Sequence, residues 1–235
     1  MTHFWEHEQH SRIDIVDSAI TARRSIRAFL PTPLPEGELD RILAVAARAP
    51  SGGNMQPWRV HVLEGAALQR MIKAAVTAFD YQPEERRNEY DYYPVEFFEP
   101  YAARRRKLGW DLYSLLGIER GEKGKMKAQQ RRNFEFFGAP TGLIFTIDRR
   151  LAQGSWVDYG MFMQNIMIAA QARGIDSCAQ ASWMEYPGVV GRELDLSHHD
   201  IIICGMALGY ADLDAIENTL QSERVAVKDF VIKHE

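Results

Sequence analysis

Three arginines surround a serine early in the chain: Arg23, Arg24, Ser25 and Arg27 lie within five positions. A guanidinium group can meet a phosphate with two parallel hydrogen bonds. One arginine at the end of a predicted helix has an ordinary explanation, because a cation there interacts favourably with the helix dipole. Three arginines so close together favour an anion site, and a phosphate on a flexible polar tail would fit it.

A second polar group lies in the loop at residues 49–58, which reads APSGGNMQPW. Its two glycines allow a tight turn or a close approach to a ligand. Asn54 and Gln56 carry amides that both donate and accept hydrogen bonds, which suits the alternating N–H and C=O edge of a planar heterocycle. Alone, the loop is more simply a glycine-rich turn before a strand. Together, the two groups look like the two halves of a flavin mononucleotide (FMN) site.

These two groups, with Arg224 late in the chain, resemble the FMN-dependent nitroreductase family. The likeness runs from about residue 13 to residue 230, and only the segment from about 80 to 135 looks individual. None of the motifs is specific alone, so the resemblance rests on their order and spacing.

The resemblance implies roles on the phosphate side of the cofactor. Arg23 and Arg224 would bind the FMN phosphate, and Arg24 and Ser25 would bind the phosphate or the ribityl hydroxyl groups. Arg27 would place its cation beside N1 and O2 of the flavin ring. Reduction leaves negative charge at those atoms, which a fixed cation stabilises.

The resemblance also implies how the ring is held. Asn54 would bind the pyrimidine edge. Pro50, Ser51 and Gln56 would reach the flavin from the second protomer of a homodimer. Each site would therefore lie across the dimer interface.

The backbone near Ala181 and Ser182 would meet flavin N5, the atom that accepts and gives hydride. The implied reaction is ping-pong: NADH or NADPH reduces the flavin and leaves, and a nitroaromatic acceptor then takes the electrons at the same open face. The cofactor carries this chemistry, so we expect no catalytic residue in the usual sense. The sequence does not choose between NADH and NADPH.

Three alternatives stay open. The same flavin fold could serve reductive dehalogenation or the reduction of quinones and enones, because a hydroxyl group from Ser182 near N5 would favour one-electron chemistry. A flavin-binding protein without turnover is a second alternative, against which the intact Arg27 argues. In a third, no flavin is bound and the arginines pair with surface carboxylates.

The composition excludes several classes of protein. The chain has 235 residues, a net charge of −4 at pH 7 and 46% hydrophobic residues, enough for one domain with a sizeable core. No nucleic-acid partner is expected, because the basic run at residues 104–107 is best explained as the solvated face of a helix. Two cysteines and a polar N-terminus favour a cytoplasmic protein without a membrane span. His3, His7 and His10 would align on a helix, but a solvated terminus explains them better than a metal site.

Hydrophobic periodicity predicts the elements that position these residues. Helices are predicted near residues 13–20, 36–48, 66–79, 155–173 and 187–194, and strands near 58–63, 141–147 and 201–210. Ser155 is the expected N-cap of the fourth helix and Gly174 its stop. The resemblance implies an α+β, nitroreductase-like fold with a central, mostly antiparallel sheet flanked by helices. It also implies that the C-terminal tail, with its alternate apolar residues at 224–231, crosses to the other subunit.

The segment at about residues 80–135 interrupts this pattern with aromatic residues set among dense charges. It predicts two helices, near residues 96–116 and 123–137. Long excursions of this kind are often lids, and an ordinary packed helical hairpin is equally expected. We therefore expect a single domain, residues 1–235, with a lid-like insertion that in this family often covers the flavin and sets substrate choice.

Overall fold

The computed structural model of the protein describes residues 2–234, and for residues 2–10 it describes the helical backbone alone. The helices are α1 (Thr2–Ala22), α2 (Glu38–Ala46), α3 (Gly65–Tyr81), α4 (Tyr101–Leu115), α5 (Lys123–Arg131), α6 (Gln153–Gln171) and α7 (Pro187–Leu194). The strands are β1 (Arg59–Glu64), β2 (Thr141–Asp148), β3 (Asp176–Gln180) and β4 (Asp200–Gly209). The alignment predicted for His3, His7 and His10 concerns side chains outside the described part. Among the residues that are described, no three His, Cys, Asp or Glu side chains lie together as metal ligands would.

The four strands form one antiparallel sheet in the order β1-β2-β4-β3. β2 is buried over all but its last residue, because helices cover both faces of the sheet. On one face Ile144 packs with residues of α3 and α7, and on the other Leu143 packs with residues of α2 and α6. This antiparallel sheet flanked by helices confirms the predicted α+β fold class.

The second helix predicted in the insertion, over residues 123–137, ends earlier than expected. α5 stops at Arg131, and a 3₁₀ stretch, Arg132–Gly138, follows it. Phe136 and Phe137 have φ angles of 48° and 54° there, and both rings are buried. Periodicity could not predict this turn, because phenylalanine rarely adopts the left-handed conformation.

α6 begins earlier than predicted. Ala152 takes the N-cap position, and the predicted N-cap, Ser155, is buried inside the first turn, where its N–H donates to the Ala152 carbonyl at 3.0 Å. Gly174, at φ +69°, follows the end of the helix as expected. α6 is apolar because it packs under the sheet. Within the described residues, no helix combines the length and the hydropathy that crossing a bilayer requires.

One close contact fixes the sheet against the 3₁₀ stretches. Gly205 of β4 lies directly under the indole ring of Trp183, which is fully buried, and a Cβ atom at this position would overlap that ring. The other face of the indole stacks on Phe136, with ring centroids 4.4 Å apart and an interplanar angle of 25°. The sheet therefore needs a residue without a side chain here.

We expect Gly205→Ala to destabilise the protein, because the added methyl group must displace a packed indole ring. Overpacking of this kind costs about 1–3 kcal/mol, which for a chain of this length lowers Tm by roughly 2–12 °C. Thermal unfolding followed by circular dichroism measures the change. Gly191→Ala in α7 is the matched control, since nothing lies within 4 Å of its added Cβ. An equal Tm for both variants would contradict this packing argument.

Candidate functional site

The arginine-rich segment lies along the free edge of the sheet, beside β3. Ser25 and Ser177 form a parallel bridge, and the Ile26 N–H donates to the Ser177 carbonyl at 3.1 Å. Further along, the Phe29 N–H donates to the Phe137 carbonyl at 3.1 Å. These backbone bonds cover a strand edge that would otherwise be open. They also fix where the arginines on either side can point.

A buried asparagine completes this attachment. Asn218 lies in the 3₁₀ turn Ile216–Thr219 and is only 6% exposed. Its Oδ1 accepts from the N–H groups of Arg27 and Ala28, at 2.8 and 3.2 Å. Its Nδ2 donates to the carbonyls of Ala28 and Asp212, both at 2.8 Å. The amide thereby uses both its donors and both lone pairs of its oxygen. Sequence reasoning missed Asn218, because an asparagine in a polar loop carries no periodic signal.

The predicted phosphate-side residues meet in one cavity. Arg23, Arg24, Ser25, Arg27 and Arg224 line a space of about 850 Å³, within the size range of cofactor sites. About 200 positions of sequence separate the first four from the last, so the fold brings them together. α4 contributes Leu108 to the rim of this cavity.

The four arginines of this cavity carry uncompensated charge. In the part of the chain that the structure describes, none of them has a carboxylate within 4.0 Å, whereas Arg59 and Arg149 elsewhere do. Their hydrogen bonds go to neutral acceptors instead: Arg24 donates to the Asn218 carbonyl at 3.1 Å, and Arg224 donates to Ser222 Oγ at 2.7 Å. Within the described residues, this arrangement gives no support to the alternative in which the arginines pair with surface carboxylates. A cluster of unpaired guanidinium groups is suited to an anion.

The charge of this cavity reaches the buried face of β3. Burial raises the pKa of the Cys178 thiol to about 11, and the nearby charges of Arg27 and Arg23 oppose that rise. The positive charges of the two guanidinium groups therefore partly offset the effect of burial on the pKa of the thiol. Cys178 itself is buried and protonated at neutral pH, so it takes no part in the chemistry of the site.

The loop that was predicted to hold the ring lies apart from the arginine cavity. Pro50, Ser51, Asn54 and Gln56 lie between α2 and β1, and none of them lines that cavity. The loop is internally braced, because the Gln56 N–H donates to Ser51 Oγ at 3.0 Å and Gln56 Nε2 donates to the Asn54 carbonyl at 3.2 Å. Within one chain, the two predicted halves of the site do not meet.

A second residue that sequence reasoning missed holds this loop on α6. The buried Asp158 accepts from the Gly52 N–H through its Oδ2, at 3.1 Å. The polar side chains of the loop are left exposed as a result. They are available to a ligand that approaches from outside the chain.

Ala181 and Ser182 follow directly on β3, in the 3₁₀ turn Ala181–Glu185. Both are half-buried, and neither lines the arginine cavity. The strand that ends at this turn is the one that carries the bridge to Ser25. The arginine segment and the pair Ala181 and Ser182 are therefore both positioned by β3.

The insertion lies over the other side of Arg27. A smaller cavity, of about 540 Å³, separates Arg27 from Phe97 and from α4, which contributes Arg105, Trp110 and Tyr113. Aromatic rings therefore face the Arg27 guanidinium across a space that could take a planar molecule.

The start of the insertion is tied to the sheet through Tyr90. Its hydroxyl donates to the Ile203 carbonyl at 2.6 Å, and its ring meets Trp156 edge-on at a centroid distance of 4.6 Å. Burial raises the pKa of this phenol, so it stays a hydrogen-bond donor at all ordinary pH values. Tyr90 therefore holds the start of the insertion against β4 and α6, ahead of α4 in the chain.

Known proteins resemble this chain in sequence and in structure. A chloronitrobenzene nitroreductase from Comamonas testosteroni is 41% identical over 215 residues, covering 92% of this chain and 95% of that protein. A 4-nitrobenzoate reductase from Pseudomonas putida is 36% identical over 217 residues, covering 92% and 94%. The crystal structure of the FMN-dependent nitroreductase NfnB from Mycobacterium smegmatis in complex with NADPH has a TM-score of 0.90 and 30% identity, covering 95% of this chain and 99% of that one.

The family match agrees with these likenesses. The model of the nitroreductase family matches residues 20–210, which include the arginine segment, the loop and β3. The cavity lined by unpaired arginines, the antiparallel sheet and relatives more than 30% identical along nearly the whole chain all lead to one conclusion: this chain belongs to the nitroreductase family.

Proposed function

We propose that this protein is an FMN-dependent oxidoreductase that uses NADH or NADPH to reduce nitroaromatic compounds. One observation carries the proposal: four arginines without carboxylate partners, within the described residues, line a single cavity of about 850 Å³. A phosphate monoester carries nearly two negative charges at neutral pH, so these residues fit the phosphate of FMN. The names of the relatives support the acceptor class, and the NfnB structure supports FMN and NADPH.

The residues of this chain bind and orient the cofactor. Arg23 and Arg224 would donate hydrogen bonds to the phosphate, and Arg24 and Ser25 would donate to the phosphate or the ribityl tail. Arg27 offers its cation beside the ring, where negative charge accumulates on reduction. When bound, FMN supplies the transfer of electrons in pairs, first from the nicotinamide and then to the acceptor. No side chain is needed as a general base, because water can supply the protons.

The insertion provides the cover of the site. We propose that residues 1–235 form one domain in which the segment at about 80–135 is a lid-like insertion. The aromatic residues of α4 that face Arg27 would exclude water from the acceptor and stack on its ring. The two cysteines, Cys178 and Cys204, are both free and buried, which favours the reducing cytoplasm as the place of action.

The site is complete only in a homodimer, in which the loop at residues 50–56 of one protomer reaches the arginine cavity of the other. Exposed apolar residues supply surface for such an interface. On α1, Ile13, Ile15 and Val16 are each more than half exposed. In the tail, one 3₁₀ turn, Val227–Asp229, leaves Phe230 and its neighbours in solvent, and docking on a second copy would bury them.

We expect Arg224→Ala and Arg27→Ala to separate binding from reduction. Arg224→Ala removes a phosphate ligand, so FMN affinity should fall about 10- to 100-fold, the usual effect of losing a hydrogen bond between charged groups. Arg27→Ala should retain most of its FMN and show slower flavin reduction by NADPH in anaerobic stopped-flow measurements. The visible flavin absorbance of the purified variants measures the first effect. Two fully loaded and fully active variants would overturn the assigned roles.

We expect Asn218→Ala to weaken FMN binding, although Asn218 is not one of the residues assigned to the cofactor. The substitution removes the hydrogen bond that holds the backbone at Arg27. It should also lower Tm, since two buried N–H groups lose their acceptor at a cost of about 1–3 kcal/mol each. FMN titration and thermal unfolding measure the two effects. Thr219→Ala is the control, because Thr219 is exposed and its hydroxyl donates only within the same turn. Equal FMN affinities in the two variants would contradict the role of Asn218.

Mixed dimers test whether each site uses two chains. Arg224→Ala and Gln56→Ala should each be weakly active alone. A dimer with one chain of each kind would carry one intact site and one doubly altered site, so about half of the wild-type activity should return. Mixed dimers can be isolated with two different affinity tags. Activity no higher than the mean of the two parents would show that each site lies within one chain.

A further inference from the structure

The basic run of α4 contains two kinds of residue. Arg106 lies 3.6 Å from Glu99, and Lys107 lies 2.7 Å from Asp111 and 3.1 Å from Glu223. Those contacts are ordinary surface ion pairs. They fit the sequence-based expectation that this run is a solvated helix face.

Arg104 and Arg105 are different. Neither has a carboxylate within 4.0 Å in the part of the chain that the structure describes. Arg105 instead lies over the Phe97 ring, at 4.5 Å from its centroid, and near Tyr93, at 5.5 Å. Arg104 lies 5.7 Å from the Tyr101 centroid. Stacking on rings orients a guanidinium group and leaves its N–H edge free for an oxyanion.

These two arginines border a cavity of about 850 Å³ beside the arginine cavity. Four aromatic residues contribute to its wall: Tyr93, Phe97, Phe98 and Tyr101. It shares Ser25 and Arg224 with the proposed FMN site. Asp111 and Glu223 also border it and both pair with Lys107, but Arg104, Arg105 and Arg224 leave the lining with a net positive charge.

Arg105 connects this cavity with the space in front of Arg27. It lines both the aromatic cavity and the smaller cavity of about 540 Å³ that separates Arg27 from α4. A ligand whose ring lies in front of Arg27 can therefore direct a charged substituent toward Arg105. The stacked rings offer a surface for its planar part.

We propose that Arg104 and Arg105 form a second anion site, which binds the oxyanion of a ring-bearing ligand of this reductase. The ligand chemistry is a planar ring with a carboxylate or phosphate group. It has two sources: the carboxylate of a nitroaromatic acid, or the 2′-phosphate of NADPH. The inference rests on the proposed function, in which donor and acceptor use the same open face in turn.

The test compares pairs of ligands in which only one member carries the anionic group in question. The purified oxidised holoenzyme is titrated with 4-nitrobenzoate and with its neutral analogue 4-nitrobenzamide, and separately with NADP⁺ and NAD⁺. Quenching of tryptophan fluorescence gives each Kd, since Trp110 lies beside Arg105 in the smaller cavity. The same pairs are compared by kcat/KM, with NADPH and NADH as donors. The variants are Arg104→Gln, Arg105→Gln and the double variant. Arg70→Gln is the matched control, as an exposed residue of α3 that lines none of these cavities.

We expect the wild type to prefer the anionic member of one pair, and the double variant to lose about 10- to 100-fold of that preference. Loss in the carboxylate pair identifies the acceptor as the source, and loss in the nucleotide pair identifies NADPH. The inference would be overturned if, in both ligand pairs, the double variant kept the same preference for the anionic ligand as the wild type and Arg70→Gln. If 4-nitrobenzamide is reduced while the preferences do not change, only the second anion site is wrong. A wild type that holds no FMN and reduces neither nitro compound would instead overturn the proposed function. The same titrations, run on that FMN-free protein, would still decide the anion site.

Discussion

The structure depends on holding four guanidinium groups of like charge around one space, with no carboxylate of the described residues paired to them. Their mutual repulsion opposes the arrangement, so their positions must come from elsewhere. For the three arginines at 23–27 they come from the backbone at Ile26, which bonds to the edge of β3, and from Asn218, whose amide binds the backbone at residues 27 and 28. Because these bonds use neutral partners, the positive charge stays available to a ligand. The same feature makes the site costly to the folded protein until an anion neutralises it.

The sheet can provide this edge because its centre is rigid. β2 and β4 pair along their lengths and are buried between two helical layers. The contact of Gly205 with Trp183, and the stacking of Trp183 on Phe136, join β4 to the 3₁₀ stretches Ala181–Glu185 and Arg132–Gly138. Close packing of this kind keeps the sheet and the 3₁₀ stretches in fixed relative positions, because a densely packed interior deforms little under strain. The arginines are therefore fixed by a core that contains none of them.

The insertion and the loop at residues 50–56 show how binding surface is separated from scaffold. Both lie outside the sheet: Tyr90 bonds the start of the insertion to β4, and Asp158 bonds the loop to α6. Around these points the polar and aromatic side chains stay exposed. In the homodimer proposed above, the loop would reach a second cavity and the apolar tail would gain a second surface. Recognition can thus vary between relatives while the scaffold stays the same.

The sequence by itself determined which residues could bind a phosphate and which segments would form helices and strands. Clustered arginines, the glycine-rich loop and the apolar runs depend on local chemistry and periodicity, which a sequence displays directly. Only the tertiary structure decided that Arg224 joins Arg23 in one cavity, that Asn218 holds the backbone at Arg27, and that Phe136 turns against its propensity. It also divided the basic run of α4 into paired and unpaired arginines. Each of these facts depends on contacts between distant positions, whose pairing no local pattern encodes.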